Sequence, residues 1–300
     1  MPLKKLQIRS GVSKENTRYT TENGWYDCDK VRFRSGSPEK IGGWERISSN
    51  TFLGVCRSLW NWVTLASLNL MGVGTNLKFY IESGGAYNDI TPLRLTATLT
   101  NPFTATLSSS VITVAHTAHG CGTGDFVTFS GATGLGGNIT ASVLNQEYQV
   151  TVLSVNTYTI TVAATAIAAD VTGSPGGGAA VSAAYQIDTG PAFSVPLTGW
   201  GAGLWGSGSW GLTSSTDSMR LWSQNNFGED LIFTPRGGGI YYWDASSGLT
   251  ARGVALSSLA GASNVPTLAN FTFVSDTSRF VFAFGTTDYL SSAFDPMLVR

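Results

Sequence analysis

The chain has 300 residues, with 18 Lys and Arg against 19 Asp and Glu, a formal net charge of −1, and only 12% charged residues beside 11% aromatic ones. Soluble proteins carry about 25% charged residues, so a dense charged shell is excluded. A net charge near zero gives bulk electrostatics no preference for nucleic acid or membrane. Such a surface is expected to be covered by neighbouring subunits or by Ser, Thr, Gly and Asn polarity. The cysteines Cys28, Cys56 and Cys121 are odd in number and form no C-x-x-C unit, which argues against a disulfide framework or a structural zinc site. No transmembrane run is present. The start, Met1-Pro2-Leu3-Lys4-Lys5 followed by Gln7, Arg9 and Ser10, lacks the apolar core of a secretory signal, so cytoplasmic synthesis is expected.

Helical periodicity is nearly absent and alternating patterns are common, so the expected class is all-β. Residues 1–55 read as an N-terminal anchoring segment. Residues 1–50 hold ten of the 18 basic side chains. Val31 and Phe33 alternate with Arg32 and Arg34, a strand with one apolar and one basic face; Ser35-Gly36-Ser37-Pro38 then reads as a turn. Trp25, Phe33 and Trp44 supply large rings and Arg32 and Arg34 supply charge, the combination that interface centres favour. The competing reading is that the rings plug the chain's own sheet and the arginines form a solvated face, partly neutralised by Asp27, Asp29 and Glu39.

Residues 56–94 read as a first propeller-type sheet. Leu59-Trp60-Asn61, Leu70-Met71 and Phe79-Tyr80 follow one another with Trp60 ten residues before Leu70 and twenty before Tyr80. The same order returns in Leu221-Trp222-Ser223, Ile232-Phe233 and Tyr241-Tyr242, with Trp222 twenty residues before Tyr242. Each copy reads as aromatic strand, turn, apolar strand, Gly-rich turn, aromatic strand. Such a sheet cannot bury both faces alone, and repeated units of this kind stack into a propeller or solenoid. Trp60 and Trp222, and Tyr80 and Tyr242, are therefore expected in equivalent places on two sheets.

Residues 95–186 read as a small β-barrel or sandwich inserted between the two copies. No Lys or Arg occurs between Arg94 and Arg220. Val150–Val155 and Tyr158–Val162 alternate about a turn at Asn156-Thr157, and Gly173-Ser174-Pro175-Gly176-Gly177-Gly178 closes the segment. Residues 187–300 are expected to form further propeller-type sheets, with a strand pair at Phe271–Val274 and Phe280–Phe284. The final Met297-Leu298-Val299-Arg300 reads as a strand in mid-blade. Between them, Trp200, Trp205 and Trp210 form a Gly/Trp ladder suited to wedging rings between sheets.

Catalytic ingredients are few. Gly201-Ala202-Gly203-Leu204-Trp205-Gly206 fits the dinucleotide G-x-G-x-x-G string but lacks the preceding strand, the following helix and the acidic ribose ligand. His116, His119 and Cys121 form an H-x-x-H-x-C cluster for which only Asp125 lies close as a further zinc ligand; a pair of loops is the simpler reading. Asp27/Asp29 and Glu229-Asp230 suit turns better than a glycoside-cleaving pair. Gly206-Ser207-Gly208-Ser209-Trp210-Gly211 lacks the strand-to-helix setting of a nucleophile elbow. No catalytic residue, cofactor or metal ligand is expected.

Gly24-Trp25-Tyr26-Asp27, Lys30-Val31-Arg32-Phe33-Arg34, Gly36, Pro38 and Ile41-Gly42-Gly43-Trp44 resemble the start of the phage stabilisation protein family, which is similar to the tail accessory or nozzle proteins of short-tailed bacteriophages. Leu221–Leu231, Gly237–Asp244, the Gly/Trp ladder and Phe294–Arg300 resemble the same family. The resemblance implies a non-enzymatic virion protein with propeller-like sheets. It implies a homo-oligomeric ring, a hexamer, below the portal or adaptor, which helps retain the packaged DNA and then lets it pass. An alternative is a carbohydrate-binding or carbohydrate-cleaving propeller, such as a receptor-binding tail component.

Overall fold

The computed structural model describes residues 9–15, 17–20, 23–43, 45–46, 48–190, 193–196, 216–217, 219, 221–291 and 293–300. The chain divides into two compact units, Met1–Ser49 and Asn50–Arg300. In the first, β1 (Val31–Arg34) pairs antiparallel with β2 (Ser37–Lys40). The loop Ser35-Gly36 has φ of +49° and +83°, the left-handed pair that suits the twist of a two-residue hairpin.

The second unit opens with a meander of β3 (Cys56–Val63), β4 (Asn69–Thr75), β5 (Phe79–Ser83) and β6 (Ala86–Asp89), hydrogen-bonded in that order. The insert follows: β7 (Leu93–Leu99), β8 (Phe103–Ala105), β9 (Val111–Ala115), β10 (Phe126–Ser130), α1 (Ala141–Leu144), β11 (Glu147–Gln149), β12 (Thr151–Ser154), β13 (Thr157–Thr161), α2 (Ala168–Thr172) and β14 (Val181–Gln186). Its strands form two four-stranded sheets, β11-β10-β14-β7 and β12-β13-β9-β8. They face each other across a core of their own, which includes Phe103, Ile112, Phe129, Leu144, Tyr158 and Tyr185. The insert is thus a sandwich. Leu93 pairs with Gln186, so the chain enters and leaves the module through neighbouring strands, the geometry that lets a long insertion sit in a loop.

A two-residue ladder, β15 (Val195–Pro196) with β16 (Thr216–Asp217), leads to a second meander. It comprises β17 (Trp222–Phe227), β18 (Asp230–Pro235), β19 (Tyr241–Trp243) and β20 (Val254–Ala255). The third sheet, β21 (Ala269–Val274), β22 (Val281–Thr287) and β23 (Phe294–Val299), has three strands. The fold is all-β apart from short helical turns.

The meanders stack face to face. Trp62, Leu70, Phe79 and Ile81 of the first share one core with Trp222, Leu231, Phe233 and Trp243 of the second. Ile232 and Ile240 of the second share another with Ala269, Val274 and Ala283 of the third. The first contact depends on two glycines in β4. A Cβ on Gly72 would lie 2.2 Å from Gln224 Oε1, and one on Gly74 would lie 2.5 Å from Trp222 Cδ1. Glycine in a strand interior marks close approach, and here it lets Trp222 and Gln224 seat on the β4 backbone.

The expected equivalence of the two aromatic repeats holds for strand order and stops there. Trp60 lies in β3 and Trp222 in β17, each the first strand of its meander; Tyr80 and Tyr242 lie on the third strands, β5 and β19. Trp60 Nε1 donates to Asn226 Oδ1, so its ring faces the second meander. Trp222 Nε1 donates to the Thr75 carbonyl at 2.7 Å, so its ring faces back toward the first. Both tryptophans therefore serve one interface from opposite sides. Side chains alternate faces along a strand, so an odd offset in register exchanges the faces of every residue.

Candidate functional site

In the N-terminal unit, Trp25 and Phe33 bring their ring centroids to 6.3 Å. The backbone around Trp25 pairs in parallel with Val12. Arg32 Nε donates to Glu39 Oε2 across the hairpin at 3.1 Å, so one of the two expected anchoring charges has a partner on its own sheet. Arg34 is exposed. Trp44 and the Gly/Trp ladder of Trp200, Trp205 and Trp210 lie outside the described residues.

The aromatic seam between the first two meanders is satisfied internally. Phe79 lies 4.9 Å from Trp222 and stacks 4.3 Å from Phe233, and Trp62 meets Trp243 edge-on at 6.4 Å. Trp62 Nε1 donates to the Glu229 carbonyl at 3.0 Å and Trp243 Nε1 to the Ala251 carbonyl at 3.1 Å. Buried indoles need such acceptors.

At one end of this seam is a cleft of about 860 Å³ lined by the β3–β4 turn, the β17–β18 turn and residues 243–249, with Arg279 on its rim. Glu229, Asp230 and Asp244 line it, and each carboxylate is occupied by the fold. Glu229 accepts from the Leu65 N–H. Asp230 accepts from the Tyr242 hydroxyl and, at 2.9 Å, from the Ala245 N–H. Asp244 caps a helical turn through Ser246 and Ser247, and those hydroxyl and backbone donors hold its carboxyl below the usual value. Burial, then the bond to Asp230, pushes the Tyr242 hydroxyl up. A glycosidase pair needs one raised carboxylic acid and one free carboxylate; this cleft presents three carboxylates tied to backbone and hydroxyl donors.

His116, His119 and Cys121 do not converge. His119 Nδ1 accepts from the Cys121 N–H at 3.0 Å, so Nε2 carries the proton and donates to the Ser154 carbonyl at 2.9 Å. His116 Nδ1 meets the Tyr185 hydroxyl at 2.7 Å, which in turn meets the Tyr158 hydroxyl at 2.9 Å. Burial pushes the Cys121 thiol up to about 11. Among the described residues no group of three His, Cys, Asp or Glu is placed to hold a metal ion. Among them, too, no helix is long and apolar enough to cross a membrane.

The charged centre that the sequence reading missed joins the insert to the meanders. Lys78, in the β4–β5 turn, is 3% exposed. Its Nζ lies 2.7 Å from Asp89 Oδ2 and 2.5 Å from Glu147 Oε2 of the insert. Gln186 Nε2 donates to Glu147 Oε1 at 2.7 Å, and Arg252 Nη2 stands 3.6 Å from Asp89. Burial works against the charge on Asp89, but Lys78, the Thr91 hydroxyl and Arg252 outweigh it, so its carboxyl sits below the usual value. The insert's one basic side chain, Arg94 in β7, donates to the His119 carbonyl; the first meander supplies the cation for Glu147. Only the lack of Lys and Arg after Arg94 pointed to a partner from outside.

No protein-family model matches the chain, and no curated protein matches it. Among solved structures it is similar to the phage phi92 endosialidase, with 13% identity and a TM-score of 0.24, over 78% of this chain and 33% of that one. The chain spans about a third of that protein's length. A likeness of that size carries no argument about activity.

Proposed function

We propose that this chain is a non-enzymatic structural protein of a bacteriophage tail, of the nozzle or head-completion kind. In this reading copies assemble as a ring below the portal or adaptor, help retain the packaged genome and then let it pass. The N-terminal and Leu221–Asp244 blocks that resemble the phage stabilisation family motivate the reading. The observation that carries it is the stack of meanders, which leaves large apolar side chains exposed on its outer sheet faces, Leu59 at 60% and Phe271 at 50%. Exposed apolar patches rimmed by polar residues mark interaction surfaces. The internal use of Glu229, Asp230 and Asp244 also fits a scaffold better than a hydrolase.

Negative-stain imaging and light scattering of the purified chain test this. Closed rings of several copies are expected; a monomer at every concentration overturns the reading. The carbohydrate alternative is favoured only by the cleft beside Trp243, and a polysaccharide-depolymerisation assay is expected to be blank.

A further inference from the structure

Both histidines of the chain lie in the insert, at the head of the loop 116–125 that joins β9 to β10. This loop covers two tyrosines with no exposed surface, Tyr158 of β13 and Tyr185 of β14. The His119 ring stands edge-on to Tyr158 at 5.1 Å, and the His116 ring tilts over Tyr185 at 5.3 Å. Arg94 of β7 ties the loop down through the His119 carbonyl at 2.9 Å and reaches the Cys121 sulfur at 3.5 Å. His119 commits both ring nitrogens to backbone, at Cys121 and Ser154. His116 instead ends a chain of hydroxyls. Among the described residues the Tyr158 hydroxyl meets one partner, the Tyr185 oxygen. A buried donor left unmade is costly, so Tyr158 donates to Tyr185. The Tyr185 hydroxyl then donates to His116 Nδ1, which leaves His116 neutral with its proton on Nε2.

We propose that residues 116–125 form an acid-opened lid on the insert, closed while His116 is neutral and released when it takes a proton. A proton on Nδ1 turns that acceptor into a donor. The chain must then reverse: His116 donates to Tyr185, Tyr185 donates to Tyr158, and the Tyr158 hydroxyl proton is stranded in the core. Water reaches it only if the loop lifts. If His116 swings out instead, the Tyr185 hydroxyl loses its acceptor and the loop its hold. Nothing that faces the imidazole offsets the new charge. Arg94 stands 5.9 Å from the Tyr185 ring centroid, His119, Cys121 and the two tyrosines bring no negative charge, and Asp125, the loop's one carboxylate, is turned to the Gly122 N–H at 2.8 Å. Burial, and behind it His119 and Arg94, hold the His116 imidazole below its ordinary value. With a lowered folded value, the stability held by neutral His116 is present above the unfolded value of about 6.5 and is lost as pH falls through the folded one.

Ring-nitrogen NMR signals of the histidines and hydrogen exchange of the loop test this on the full chain. Above about pH 7, His116 is expected as the Nε2–H tautomer, and on acidification it should titrate below the ordinary value of about 6.5. An Nδ1–H tautomer, or titration at or above that value, overturns the proposal. Between about pH 7 and pH 5, where ordinary carboxylates stay ionised, opening of 116–125 is expected to grow by up to about tenfold per pH unit for the proton taken up, once exchange is corrected for its intrinsic rate. His116→Asn puts Oδ1 in the place of Nδ1, so it keeps an acceptor for Tyr185 and cannot be protonated. Its loop should stay as closed at the acid end of that range as at the neutral end. The same pH dependence in parent and variant would assign the opening to another group and overturn the proposal. If the variant does not fold, the parent's tautomer and titration decide alone.

Discussion

Two buried acidic environments hold this fold at the level of single side chains, and both invite substitution. Asp170 is fully buried and accepts from the N–H groups of Gly137, Ile139 and Ile167 and from that of Asn138, at 2.9–3.0 Å. Burial opposes its charge, but those four donors outweigh it and lower its pKa. Replacing it with Ala strands the donors, at about 1–3 kcal/mol for each that finds no water, so a loss of about 3 kcal/mol or more is expected in urea unfolding. A lowered folded pKa contributes stability above the unfolded value of about 3.9 and loses it as pH falls through the folded one. The difference between parent and Asp170→Asn should therefore shrink below about pH 4; a difference constant from pH 7 to pH 2.5 would exclude this account. Lys78 is the second case. Lys78→Met leaves Glu147 without its cation and Asp89 with Arg252 alone, 3.6 Å away, and breaking a buried pair in this way costs about 3–5 kcal/mol. In a double-mutant cycle with Glu147→Gln the two losses should not add.

At the level of elements, the first contact between meanders turns on Gly74. Gly74→Ala places a methyl carbon 2.5 Å from the Trp222 ring, and overpacking of that kind costs about 1–3 kcal/mol. Lower stability with a changed Trp222 emission is expected; parent-like unfolding would mean that the sheets separate freely. The strands themselves were legible. Alternation placed β1, β13 and the β21–β22 pair where they occur, because a half-buried strand writes its period into local sequence; it missed β2, since Ser37 and Pro38, read as part of a turn, already pair with Arg34 and Phe33. The Trp repeat gave the order of strands in two meanders. It misled on faces, since equal spacing between Trp and Tyr says nothing of which side of the sheet each occupies. The Lys78–Glu147 contact spans 69 residues and follows no local period, so only the missing cations of the insert hinted at it. Asp170 gave no signal, because its donors are backbone groups, which every sequence has.

The whole molecule poses the question of how independent the insert is. Its core draws on residues from Leu99 to Tyr185, while its ends meet at the Leu93–Gln186 pair and its side chains reach the meanders through Glu147 and Gln186. Removing residues 94–185 and joining Leu93 to Gln186 through two glycines spans neighbouring strands, whose Cα atoms lie about 5 Å apart. The packed aromatic core of Trp62, Phe79, Trp222, Phe233 and Trp243 uses no residue of the deleted segment. The expected product is soluble and unfolds cooperatively, but with reduced stability, because Lys78 loses Glu147 and the Phe126 ring 4.8 Å from its ammonium. The tryptophans give a clean readout, because none of the 9 in the chain lies between 94 and 185. Tryptophan emission and near-ultraviolet dichroism above 290 nm should therefore keep the parent's native signature, whereas far-ultraviolet strand signal falls with the lost sheets. Loss of the native tryptophan signature on deletion would show that the meanders fold only against the insert, and the module would then be part of their core rather than a passenger in their loop.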